Sequence, residues 1–238
     1  MKKLVSIVGL TSSGKSGIGI ELAKLFNGEV ISCDSRQVYK TLDLSSGKVT
    51  TQEMDGIPHH LLDIAELGGE LMDVFTFQKL AYSAIDDIHV RGKLPILVGG
   101  TGLYSRSIVE GYEFDKPNKP RYNVLQIALM PPKEVLAPLV KLRMEQRIEQ
   151  GMVEEARKIL DDGVSDQWLS SLGLECYWNV ELIRGRITED EYRKQLFTKT
   201  MQFAKRQRTW FKREKNTRFL TNREEFLKES IKLVKEFL

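Results

Sequence analysis

Gly9-Leu10-Thr11-Ser12-Ser13-Gly14-Lys15-Ser16 satisfies the spacing G-x-x-x-x-G-K-[ST] and constrains this chain more than any other stretch. It follows an apolar, β-branched run at 3–8 and opens a segment of helical periodicity at 14–26. Strand, glycine loop and helix in that order build an anion cradle. The glycines permit a tight turn, the helix N-terminus turns amides toward the ligand, and Lys15 adds a full charge. The Ser16 hydroxyl is suited to Mg²⁺. The loop predicts phosphate binding but not the ester, so a nucleoside triphosphate, a small diphosphate and a nucleotide monophosphate all remain open.

The rest of the pattern predicts where such a loop sits. Short apolar runs at 30–32, 94–98 and 124–128 read as buried strands, and a helical period spans 75–90 between them. Strands alternating with helices predict an α/β fold, a P-loop NTPase-like parallel sheet flanked by helices, with ligands at the strands' carboxyl ends. The second half is predicted helical, at 133–150, 153–160, 168–184, 189–212 and 223–238. We divide the chain into a core at 1–132 and a helical part at 133–238 that packs on it, together one continuous catalytic domain.

Composition excludes several classes. Cys33 and Cys176 are too few for a disulfide framework, and with no Cys/His cluster a structural zinc is not expected. No apolar run approaches the ~18 residues of a membrane span, so the expected compartment is the cytoplasm. The net charge of +3 is modest, but ten of the Lys and Arg residues fall within 193–218 against the one acid Glu214. That asymmetry suits a polyanionic partner; a solvated helix face is the plainer reading.

After the second strand comes Asp34-Ser35-Arg36-Gln37-Val38-Tyr39. Taken alone, Asp34 suits orienting an acceptor, holding Mg²⁺ or capping the next turn. Further along stand Gly56-Ile57-Pro58-His59-His60-Leu61-Leu62-Asp63, Gly99-Gly100-Thr101-Gly102-Leu103-Tyr104 and Phe203-Ala204-Lys205-Arg206-Gln207-Arg208-Thr209-Trp210-Phe211. With the phosphate loop these make five collinear motifs over most of the chain. Together they resemble the tRNA dimethylallyltransferases, or isopentenyltransferases, which are related to the adenylate-type cytokinin synthases.

The resemblance implies transfer of a five-carbon prenyl group from dimethylallyl diphosphate to N6 of adenine-37 in tRNA, with Mg²⁺ and release of diphosphate. It implies that Gly9, Thr11, Ser12, Ser13, Gly14, Lys15 and Ser16 hold the diphosphate, with Ser16 on the metal. Arg143 and Arg147, four apart on one helix, match a family pair of which Arg147 is expected to face that diphosphate. Asp34 corresponds to the family's general base, and Lys15 and Thr101 complete the catalytic set. Asp34, Ser35, Arg36, Gln37, Thr101, Lys205, Arg206 and Gln207 are implied contacts for tRNA, Gln37 having a carboxamide that suits an adenine edge. Adenine and diphosphate are expected to enter one channel from opposite ends and meet at Asp34. His59 and His60 are read as loop residues that position neighbours. The partners expected are dimethylallyl diphosphate and tRNA, with no membrane, for a monomer.

The chain departs from the family in two places. The tRNA enzymes carry a helical insertion of some tens of residues that clasps the anticodon arm, whereas 110–122 here leads almost directly to the next strand. The family's Gly-Tyr-Lys-Glu pattern stands here as Gly173-Leu174-Glu175-Cys176. These departures bear on the acceptor, for which free AMP, ADP or ATP is the alternative with the same chemistry. A P-loop kinase is the rival of a different class.

Overall fold

The structure, a computed structural model, describes residues 1–112 and 119–238. Of the connection at 110–122, residues 113–118 lie outside the described residues.

Strands β1 (Lys3–Gly9), β2 (Gly28–Ser32), β3 (His59–His60), β4 (Leu94–Val98), β5 (Asn123–Leu129) and β6 (Thr217–Leu220) form one sheet in the order β3-β2-β4-β1-β5-β6, every pair parallel. A parallel sheet must be covered on both faces, and the apolar runs of the sequence reflect that. On one face Val5, Ile7, Ile96 and Leu129 pack against α1 (Lys15–Leu25), and Phe226 and Val234 of the last long helix join them. On the other, Leu4, Ile31 and Leu97 pack under α3 (Val74–Val90) and α4 (Gly102–Val109), with Phe77, Ile85, Tyr104 and Ile108 inward. A short helix α2 (Thr51–Met54), started by a Thr50–Glu53 capping box, precedes β3.

The later chain supplies α5 (Lys133–Glu149), α6 (Met152–Asp161), α7 (Asp166–Ser171), α8 (Leu174–Ile183), α9 (Glu189–Phe211) and α10 (Phe226–Phe237). Three expectations change. The single helix predicted at 168–184 is two, because Gly173 and Leu174 both take positive φ, at 70° and 42°, and turn the chain. The second half is not wholly helical: Thr217–Leu220 pairs with β5 from Gln126↔Thr217 to Leu129↔Leu220 and closes one sheet edge. At the other edge His59 and His60 are a strand, not a loop, pairing with Val30 and Ile31. His60 Nε2 lies 2.6 Å from the buried carboxylate of Glu29, which Lys93 and Arg91 also hold. Burial would raise the Glu29 carboxyl, but hydrogen bonds from Arg91, Lys93 and His60 outweigh it and bring it down to about 2. His60 is thus part of an ionic anchor for the edge strand.

Candidate active site

The central strand β1 ends at the glycine loop and α1 begins behind it, so the loop sits at the carboxyl edge of the sheet. Two of its amides are already engaged. The Thr11 N–H donates to Gln207 Oε1 at 2.8 Å, and the Ser13 N–H to the Leu10 carbonyl at 3.2 Å. The first amides of a helix have no intrahelical acceptor, so an anion would meet those at the start of α1, from Gly14 to Ser16. Ser12 holds φ at 59°, a left-handed conformation that costs a non-glycine residue energy and is characteristic of such loops. The Ser13 hydroxyl is buried with no hydrogen-bond partner.

Three cations converge on this loop. Lys15 folds back, its Nζ donating to the Leu10 carbonyl at 2.6 Å. Burial and then the charge of Arg143 push its amine down to about 7, against a smaller opposing pull from Asp34. Arg143 and Arg147 are displaced downward too, first by burial; neighbouring Arg36 adds repulsion on Arg143, and Arg143 on Arg147. A guanidinium stays charged at any working pH, so these directions mean an excess of buried positive charge. Such a cluster is poised for a polyanion. Arg143 donates to the Gly47 carbonyl at 3.2 Å; Gly47 takes φ 64°, a conformation that favours glycine, and a β-carbon there would displace the Arg147 guanidinium from the cluster. Ser12, Ser16, Arg143 and Arg147, with Lys48 and Asp43 opposite, line a cavity of about 520 Å³.

A second cavity, of about 590 Å³, opens beside the first. Asp34, Ser35, Arg36 and Thr101 form one wall, with Lys199 and Arg206 of α9 on another. Adjacent strands explain the wall: β2 and β4 pair from Gly28↔Leu94 to Ser32↔Val98, so the loops after them meet. The Thr101 hydroxyl accepts from the Ser35 N–H at 3.0 Å, which joins the two loops. One oxygen of Asp34 accepts from the Arg36 N–H at 3.0 Å, so this carboxylate also caps its own turn. The two cavities are not one open channel. Arg36 on one side and Arg147 on the other both pair with the buried carboxylate of Glu175, at 2.5 and 3.4 Å.

Some expected contacts sit elsewhere. Gln207 is 5% exposed, and its carboxamide is spent between Thr11 N–H and the Gly100 carbonyl, the latter at 3.0 Å. It fastens the phosphate loop to the Gly-Gly-Thr-Gly turn from beneath the surface. Gln37 accepts from the Ser32 hydroxyl at 2.9 Å and donates to the Gly47 carbonyl at 3.1 Å, which turns it toward the loop of the first cavity. Lys205 is exposed but lines a different groove, with Leu10, Lys133 and Arg208. Glu175 was missed because a lone acid in the first turn of a helix reads as a dipole partner. The Lys48 ammonium, held by Asp43 and Asp63 at 2.6 Å each, and Glu155, which accepts the N–H groups of Asp43, Leu44 and Ser45, were missed as well. Both order the loop that carries Gly47, and no local pattern marks them.

The family model for IPP transferase matches this chain over residues 37–121 and 113–214. The tRNA dimethylallyltransferase 2 of Shewanella sediminis is 37% identical to it, with 88% of this chain and 89% of that protein covered. The chain belongs to the tRNA dimethylallyltransferase family. A Streptococcus agalactiae member is 34% identical over 99% of this chain and 98% of its own length. These two alignments run over 269 and 292 positions, more than the 238 residues here, so the relatives carry segments with no counterpart in this chain. The two matches to the family model meet at 113–121, between α4 and β5, where the family's insertion is expected. The crystal structure of the full-length tRNA isopentenylpyrophosphate transferase from Bacillus halodurans superposes with a TM-score of 0.91 at 29% identity, covering 99% of this chain and 96% of that one. A Staphylococcus epidermidis member gives the same TM-score at 28% identity over the whole of both chains.

Proposed function

We propose that this chain moves a dimethylallyl group from dimethylallyl diphosphate to N6 of adenine-37 in tRNA. The observation that carries the reading is the pairing of an anion-seeking cluster, Lys15 with Arg143 and Arg147, with an acceptor cavity walled by Asp34 and Thr101 at adjacent strand ends. In the transfer the donor's C1–O bond breaks and a C1–N6 bond forms. The electron pair of the broken bond leaves with the diphosphate, whose growing charge is met by the first amides of α1, Lys15 and the two arginines. N6 is a weak nucleophile because its lone pair is delocalised into the ring, and it sheds a proton as the bond forms. Asp34, with one oxygen committed to the Arg36 N–H, keeps the other available to take that proton.

Mg²⁺ fits this arrangement as a companion of the donor. Among the described residues no three His, Cys, Asp or Glu side chains are grouped to hold a metal. Magnesium commonly takes one or two protein oxygens and completes its shell from phosphate and water. Ser16, which lines the donor cavity, would supply the protein oxygen, and the ion would add charge neutralisation at the departing diphosphate. A chain acting on tRNA in this way would work in the cytoplasm, and one copy suffices to build both cavities, which is compatible with a monomer.

The test incubates the protein with Mg²⁺, labelled dimethylallyl diphosphate and either an anticodon stem-loop or AMP. Label in the RNA is the expected result. Label in AMP alone would move the acceptor to free nucleotides, and label in neither would overturn the reading.

A further inference from the structure

Thr101 and Arg206 line the acceptor cavity, and two short paths lead from them to one side chain. Gly102 follows Thr101, and the indole of Trp210 lies against it so closely that a β-carbon there would be 2.3 Å from Nε1 and 2.4 Å from Cδ1. Trp210 is also one helical turn beyond Arg206 on α9. It therefore lies against the neighbour of Thr101 and one helical turn from Arg206, next to residues that line the cavity. Its Nε1–H donates to Glu214 Oε1 at 2.9 Å, and Glu214 is held in turn by the amide of Gln126, a buried side chain of β5, at 2.5 Å. The ring is fixed by backbone beneath it and by a carboxylate at its edge, yet it is 37% exposed.

Its neighbours on the helix say what such a ring could meet. Lys199, Phe203, Arg206 and Trp210 follow one another at spacings of four and three, which puts them on a single stripe of α9, and Arg213 lies in the turn just beyond the helix. Cations alternate with aromatics along it, and the Arg206 guanidinium lies 5.7 Å from the Phe203 ring centroid. Arg206 and Arg213 are exposed. Alternating rings and positive charges recognise single-stranded nucleic acid, with bases stacked on the rings and phosphates on the cations.

We infer that Trp210 is a stacking platform for a nucleobase adjoining the target adenine, with Arg206 and Arg213 serving the neighbouring phosphates. The inference rests on the proposed acceptor being RNA. It gives this chain a purchase on the loop that does not depend on the segment its relatives possess and it lacks.

The test uses anticodon stem-loops that are intact, or abasic on the 5′ or the 3′ side of the target adenine, with wild-type protein, Trp210→Phe and Trp210→Leu. Stacking of a base on an aromatic ring corresponds to roughly fivefold to a hundredfold in affinity. Trp210→Leu should bind the intact loop about tenfold more weakly, and Trp210→Phe should retain most of the affinity. One of the two abasic loops should bind wild type and Trp210→Leu alike, and inorganic diphosphate should bind all three proteins equally. A loss that is the same on every RNA, or no loss on the intact loop, would overturn the platform. If wild type transfers no prenyl group to the intact loop, the proposed function fails instead, and the platform with it.

Discussion

The carboxylate of Glu175 holds the guanidinium of Arg36 at 2.5 Å, and the same group reaches Arg147 at 3.4 Å. Arg36 belongs to the wall of the acceptor cavity and Arg147 to that of the donor cavity. One buried acid therefore balances charge on both sides of the site. The arginines, Arg36 first, hold its carboxyl below the usual range although burial alone would raise it. Its stabilisation is present above the ordinary carboxylate value and is lost as pH falls through the lowered one.

Removing that charge should destabilise the protein and make it hungrier for an anion. Glu175→Gln leaves two arginines buried without their acid, a change that typically costs about 3–5 kcal/mol. Urea denaturation should show the loss. Saturating diphosphate should restore more stability to the variant than it adds to wild type, because the ligand stands in for the missing charge. Equal stabilisation of both proteins would show that Glu175 does not compete for Arg147.

Lys15 gives the site a second pH dependence, of the same sign but in a higher window. With its amine at about 7 in the folded protein, the unfolded chain carries the extra proton from there up to about 10.5. Stability from this group therefore rises with pH across that window. Diphosphate attracts the proton back, so donor affinity should fall as pH climbs from ~6.5 to ~8.5, with proton uptake on binding at the upper end. Calorimetry in buffers of different ionisation enthalpy measures that uptake. Lys15→Arg, charged throughout, should show neither the uptake nor the decline beyond what the diphosphate's own ionisation produces.

Much of this site was legible because its parts hang on strand ends. The glycine loop, the Asp34 turn and the Thr101 turn follow three strands that are neighbours in the sheet, so finding the strands brought the residues together. What stayed hidden depended on contacts distant in sequence. Strand β6, Thr-Arg-Phe-Leu, has no apolar alternation of its own and is a strand because β5 is there to pair with it. The break at Gly173 was masked because Leu169 of α7 and Cys176 and Val180 of α8 pack into the same cluster, so the apolar period runs on across it. The resemblance implied an RNA contact at Gln207, and its burial followed from a period the basic neighbours obscured: Leu196, Thr200, Ala204, Gln207 and Phe211 keep the spacing of the buried face.

Asp34→Asn separates the two duties of that carboxylate. The amide oxygen can still accept from the Arg36 N–H, so the turn and the cavity wall should persist. The proton acceptor is gone, and transfer should slow by roughly 10²–10⁴-fold in kcat with donor affinity nearly unchanged. Single-turnover transfer to a stem-loop, beside diphosphate binding, measures both. Transfer near the wild-type rate would remove Asp34 from the role of base.

Gln207 and Lys205 lie two residues apart and should fail in different ways. Gln207→Leu strands the Thr11 N–H and the Gly100 carbonyl, each at a cost of about 1–3 kcal/mol, and lets the phosphate loop part from the Thr101 turn. Its donor affinity and thermal midpoint should drop, while RNA affinity measured at saturating diphosphate should hold. Lys205→Ala removes only an exposed charge, so donor affinity and stability should stay as they are. Its RNA affinity should weaken, with the slope of log affinity against log salt reduced by about 0.7 for one lost phosphate contact. Matching losses of RNA affinity in the two variants, with donor affinity intact in both, would return Gln207 to the RNA surface and leave the loop without its fastening.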